Sequence, residues 1–159
     1  MSVKPTPSLK PRYATPRNLA RPTDGGKEAH IAEALGTPFL PWQRMVSDVF
    51  GEIDPDTGTY YYDTLVLTVQ RQAGKTTRER ATETRNALWG PNRRVWYLAQ
   101  TGKDASQQFR EYITGFDKSP LAPLAASKRM SNGSMCLTLK NGSTIQPGGT
   151  TDSGGHGFQ

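Results

Sequence analysis

The chain has 159 residues, with 20 Lys and Arg against 14 Asp and Glu, a formal net charge of +6 and a single cysteine, Cys136. That length holds one domain with a modest core, and one cysteine excludes a disulfide framework and fits a reducing compartment. No apolar run reaches the length of a membrane span and the N-terminus has no signal-peptide core, so a soluble, intracellular protein with no membrane partner is expected.

In chain order, residues 1–27 hold six basic groups against one acid, Asp24, while residues 28–159 are nearly balanced. Five prolines and few apolar side chains leave this segment little surface to bury, so a disordered basic tail is expected over 1–27, ahead of a domain over 28–159. Such a tail is either a solvated arm or a source of non-specific attraction to nucleic acid. A short helix follows from Lys27 to Leu35, ended by Gly36. Pro41 opens the next helix, where Trp42, Met45, Val46, Val49 and Phe50 repeat at helical period and Gln43 points away from them. Asp54 to Gly58 is a turn. It lacks the glutamate of a calcium loop, and the tyrosines Tyr60, Tyr61 and Tyr62 that follow are expected to cover one end of a sheet.

Thr64 to Thr77 reads TLVLTVQRQAGKTT. An apolar, β-branched run over Leu65–Val69 predicts a strand, the polar residues Gln70 to Ala73 a loop, and the residues after Gly74-Lys75-Thr76 a helix to Leu88, stopped by Gly90-Pro91. Strand, loop, Gly-Lys-Thr and helix in that order is the phosphate-binding arrangement of nucleoside triphosphatases. Backbone N–H groups at the helix start and the positive end of its dipole attract phosphate. Lys75 reaches the β- and γ-phosphates and the Thr76 hydroxyl ligates Mg²⁺. The first glycine of the usual motif is absent, its place taken by Val69. On the helix, Thr77, Ala81, Thr84 and Ala87 are small enough for close packing on a sheet, and Arg78, Arg80 and Arg85 are expected on a solvated face with Glu79 and Glu83.

Arg94–Ala99 predicts a second buried strand, parallel to the first because a helical crossover joins them. Asp104 and Gln107 mark the start of another helix, running to about Ile113 with Ala105, Phe109, Tyr112 and Ile113 inward. Leu121 to Met130 reads ambiguously, with a short helix one option. Ser134–Leu139 and Thr144–Gln146 form a hairpin about Asn141-Gly142, and a glycine-rich loop runs from Gly148 to the end.

Arg71-Gln72-Ala73-Gly74-Lys75-Thr76 after an apolar strand resembles the Walker A variant of viral terminase large subunits, ATPases that package DNA into capsids. Leu40-Pro41-Trp42-Gln43-Arg44 and the segment from Tyr97 to Phe109 are similar to two further terminase motifs. The resemblance covers about residues 38–157. It implies an α/β, P-loop NTPase-like three-layer sandwich with a mostly parallel sheet, incomplete at the C-terminus. It also implies that Arg71 and Lys75 are catalytic, and that ATP and Mg²⁺ are held by Gln43, Gln70, Arg71, Gln72, Ala73, Gly74, Lys75, Thr76 and Thr77. Thr76 would bind the metal and Gln43 would contact adenine. The partners implied are double-stranded viral DNA, the terminase small subunit, the capsid portal and a downstream polypeptide. The place implied is the host cytoplasm, transiently at the portal.

The chain departs from that family in having no apolar strand that ends in Asp-Glu (Walker B) and no acidic nuclease cluster, which the downstream polypeptide would supply. Loss of that strand is expected to expose Leu65–Val69 as an edge. A helicase-like ATPase and a non-catalytic remnant that only docks onto a partner are the alternative readings.

Overall fold

A computed structural model describes residues 11–149, so expectations for 1–10 and 150–159 lie outside the described residues. The chain is α/β: helices α1 (Gly25–Ala34), α2 (Pro41–Phe50), α3 (Lys75–Leu88) and α4 (Gly102–Asp117), and strands β1 (Arg94–Ala99), β2 (Ala125–Arg129), β3 (Cys136–Leu139) and β4 (Thr144–Gly149). The four strands form one open sheet in the order β1-β4-β3-β2. β1 and β4 are parallel, in register from Arg94–Thr144 to Ala99–Gly149, whereas β4–β3 and β3–β2 are antiparallel. The sheet is therefore mixed rather than mostly parallel, because the hairpin about Asn141-Gly142 supplies the strand beside β1. The ambiguous stretch resolves into a 3₁₀ turn at Ala122–Leu124 and then strand β2.

Among the described residues the core lies on one face of this sheet. Leu137, Leu139 and Ile145 pack against Phe109, Tyr112, Ile113 and Phe116 of α4 and Ala87 of α3. The two helices are tied side by side by the Thr84 and Tyr112 hydroxyls, 2.8 Å apart. On the other face Trp96 is 37% and Leu98 49% exposed. The described residues thus build one helical layer on the sheet, not the two of a three-layer sandwich.

Leu65–Val69 corrects the expectation most sharply. Its side chains alternate between half-buried and exposed as a strand's do, yet it belongs to no strand of the sheet. Among the described residues none of its backbone groups has a hydrogen-bond partner, and Val66 is 85% exposed. The parallel pair inferred between this segment and Arg94–Ala99 does not form.

Residues 11–27, expected as part of a disordered tail, are laid onto the domain by charge. The Glu52 carboxylate, fully buried, accepts from the Asn18 N–H and pairs with Arg17 and Arg21, each at 3.0 Å. Burial alone would push that carboxyl up, but the Asn18, Arg21 and Arg17 bonds outweigh it and hold it below the usual carboxylate range. Asp24, also buried, pairs with Arg85 and accepts from the Tyr60 hydroxyl at 3.1 Å. The Arg85 guanidinium lies against the rings of Tyr60 and Trp89, 3.9 and 4.1 Å from their centroids. Tyr60 therefore packs on α3 rather than over a sheet end.

Arg78 is likewise buried, 3.7 Å from Glu28. The solvated arginine face expected on α3 is in fact its seam with α1, because Asp24 and Glu28 at the head of α1 face it. Arg80, the third, bonds α4 through Gln108 and Glu111. α1 and α2 approach so closely that a Cβ on Gly25 would lie 2.5 Å from the Asp48 carboxylate and 2.6 Å from Ser47.

Removing one member of a buried ion pair leaves an uncompensated charge, a cost of about 3–5 kcal/mol. Asp24→Ala is therefore expected to lower unfolding stability by about that much in a urea titration. A change under about 1 kcal/mol would show that the arm and α3 do not depend on this pair.

Candidate phosphate-binding loop

The loop over Gln70 to Gly74 is set by two left-handed residues, Gln72 at φ 60° and Gly74 at φ 94°. Gln72 is one of two non-glycine residues with positive φ among those described. A side chain held in that region costs energy, so the surrounding structure must impose it. Gly74 then serves as N-cap of α3, with no side chain bonded to the helix start. The first intrahelical bond runs from the Arg78 N–H to the Gly74 carbonyl, at 3.4 Å. Arg71 and Gln72 form a tight turn, and among the described residues nothing accepts from the backbone N–H groups of Gly74 through Thr77. These are the unsatisfied donors that a helix N-terminus offers to an anion.

Arg71 and Lys75 are exposed and neither forms an ion pair with a described acid. Gln70 and Gln72 are exposed as well, and Ala73, Gly74, Thr76 and Thr77 half-buried. The structure thus brings the residues expected at the loop together at one helix start, on the surface rather than within a walled cleft. A cavity of about 620 Å³ lies elsewhere, between the first half of α4, the end of β4 and the segment before β3, where Lys103, Arg110, Asn132, Gly148 and Gly149 line it.

Gln43 stands apart from the expectation. It is 1% exposed, and its amide is engaged on both sides. Its Oε1 accepts from the Leu40 N–H at 2.6 Å, and its Nε2 donates to the Gly74 carbonyl at 2.7 Å. A side chain so placed offers no free edge to adenine, and it is not the exposed helix residue that its polarity suggests. Ser47, one turn on, is buried with it, while Trp42, Met45, Val46, Val49 and Phe50 are only half-buried. The period was legible, but these two polar residues occupy the deepest positions.

Thr76 borders a void of about 10 Å³ with Arg80, Glu83, Tyr97, Gln108, Phe109 and Tyr112. Burial, and then the charge of Glu79, push the Glu83 carboxyl up to about 8, against a smaller opposing pull from Arg80. Near neutrality that acid is protonated and adds no charge for a cation beside Thr76. Among the described residues no cluster of three or more His, Cys, Asp or Glu is arranged for a metal. The donors present fit a phosphate chain; for Mg²⁺ they offer the Thr76 hydroxyl without a carboxylate partner.

A scan against protein-family models and searches of curated proteins and of solved structures returned no match to this chain. Among the described residues no helix is long and apolar enough to cross a membrane.

Because the folded-state pKa of Glu83 lies above its ordinary 4.5, the folded chain binds that proton more tightly than the unfolded one. The stability it contributes is complete below about pH 4.5 and is lost as pH rises toward 8. Relative to Glu83→Gln, the wild type is expected to lose up to about 1.4 kcal/mol per pH unit across this range. Parallel stability–pH curves for the two proteins would contradict the burial of this acid.

Proposed function

We propose that this chain binds the phosphates of a nucleoside triphosphate at Gln70–Thr77 and that it is the ATP-binding portion of a terminase large subunit. The observation that carries the phosphate reading is the set of backbone donors from Gly74 to Thr77, at the head of a 14-residue helix, that meet no acceptor among the described residues, beside Arg71 and Lys75, which pair with no described acid. Lys75 would neutralise the β- and γ-phosphates, and the Thr76 hydroxyl would join the inner shell of Mg²⁺. Arg71, inside the loop, would stand nearest the charge that develops on the γ-phosphate. Bound Mg²⁺ supplies charge neutralisation of the triphosphate.

The terminase assignment rests on Arg71 within the loop and on the similarity around Gln43 and Tyr97–Phe109. Its P-loop NTPase-like fold, its partners (double-stranded DNA, small subunit and portal) and its place of action in the host cytoplasm belong to the same proposal. Of the cationic arm, Arg17 and Arg21 are committed to Glu52, which leaves Arg12 and Lys27 as the exposed basic residues of its described part without an acidic partner among the described residues. Leu65–Val69, unpaired among the described residues, supports a site completed by another polypeptide segment, one that carries both the missing strand and the acids that hold metal and orient water.

Turnover needs both halves of such a site at once. The 159-residue chain is therefore expected to bind ATP without measurable phosphate release. Lys75→Ala should weaken binding at least tenfold, read by calorimetric titration beside a phosphate-release assay. ATP affinity that is unchanged in Lys75→Ala would sink the phosphate site. Robust release by the wild type, abolished in the variant, would instead show that the catalytic half is already present.

A further inference from the structure

Gln43 joins two parts of the chain 31 residues apart. Its orientation is fixed by its partners: the Leu40 N–H can only donate, so Oε1 must face it, and the Gly74 carbonyl can only accept, so Nε2 must face that. The Leu40 bond anchors the side chain to the first turn of α2, whose backbone is held in turn by the Arg44 N–H to Leu40 carbonyl bond at 3.1 Å. The amide is thus a rigid strut between α2 and the loop. A Cβ on residue 74 would stand 2.9 Å from Nε2, so a larger residue there would have to displace the amide as well as adopt a positive φ.

The consequence for the loop follows from peptide geometry. No peptide bond among the described residues is cis. In a planar trans peptide the carbonyl and the next residue's N–H point in opposite directions. Fixing the Gly74 carbonyl toward Gln43 therefore fixes the Lys75 N–H away from it, on the side where the unsatisfied donors lie. Rotation of that one peptide would withdraw the Lys75 donor and turn a carbonyl oxygen toward the anion.

We infer that Gln43 is a positioning residue that sets the Gly74–Lys75 peptide for phosphate binding, and that it acts on the phosphates of the ligand rather than on its base. The inference rests on the phosphate-site reading above, and deepens it by naming what pre-organises the loop. Gln43→Glu tests it, because an ionised carboxylate cannot donate to the Gly74 carbonyl, whereas a protonated one restores both bonds with nearly the same shape.

The probes are inorganic tripolyphosphate, which has no base, and ATP, each titrated at pH 8 and at pH 5.5 into the full chain. At pH 8 the variant should bind both at least tenfold more weakly than the wild type. Burial at this position raises the carboxyl pKa, so at pH 5.5 the ratio of variant to wild type should return toward one while the variant's circular dichroism and urea midpoint show it folded at both pH values, which separates loop positioning from a pH-dependent loss of fold. Should Gln43→Glu prove unfolded at pH 8, Gln43→Met removes both bonds without adding charge and should weaken both probes equally. A loss for ATP alone, with tripolyphosphate unaffected, would overturn the inference in favour of a base contact. Equal affinity of variant and wild type at pH 8 would overturn it too. Failure of the wild type to bind tripolyphosphate at either pH would instead remove the phosphate site itself, and the inference with it.

Discussion

One hydrogen bond, 2.7 Å from the Gln43 side-chain amide to the Gly74 carbonyl, couples the surface loop to the interior. Everything proposed for the loop depends on the Gly74 peptide holding one orientation, and glycine alone would not enforce it, since it crosses between left- and right-handed backbone readily. The Arg78 N–H, 3.4 Å away, restrains it only weakly, so the short bond from α2 supplies most of the restraint, and α2 is held against α1, whose acids Asp24 and Glu28 in turn meet Arg85 and Arg78 of α3. The helix that starts at the loop is thereby pinned along its length from the side away from the sheet. Buried charge does this work at a cost: burial lowers the pKa of both arginines, with Glu28 and Asp24 opposing the shift. Such pairs stabilise poorly compared with apolar contacts, but they penalise any other register of α3 against α1.

Helix periods and turn residues were legible in the sequence, and the bounds of α1, α2, α3 and the β3–β4 hairpin follow them closely. The loop was legible as well, because Gly-Lys-Thr after a β-branched run has few other uses. Three features were not. Arg78 and Arg85 look like solvent residues until the acids they face, 50 and 61 positions away, are brought beside them. Residues 11–24 look disordered by composition, since composition does not register that Glu52 is buried and in need of cations. Gln43 reads as exposed because helical period separates it from the apolar stripe, and no periodicity rule records a partner carbonyl at Gly74.

Leu65–Val69 is the instructive conflict between local and global order. Its residues have strong β propensity, yet propensity makes no ladder without a neighbour, and the hairpin gives β1 its parallel partner instead. The segment keeps a strand's alternation of burial without a strand's hydrogen bonds. Unpaired backbone beside exposed Val66 is the kind of edge that another chain can pair with, productively or by aggregation.

The central claim is that the donors at the head of α3 receive phosphate. Backbone amide shifts of ¹⁵N-labelled chain during titration with Mg²⁺–ATP test it most directly, because they report on the N–H groups themselves. The account predicts saturable shifts concentrated at Ala73, Gly74, Lys75, Thr76 and Thr77 and absent in Lys75→Ala. Shifts confined to the other cavity, at Lys103, Gly148 and Gly149, would contradict it.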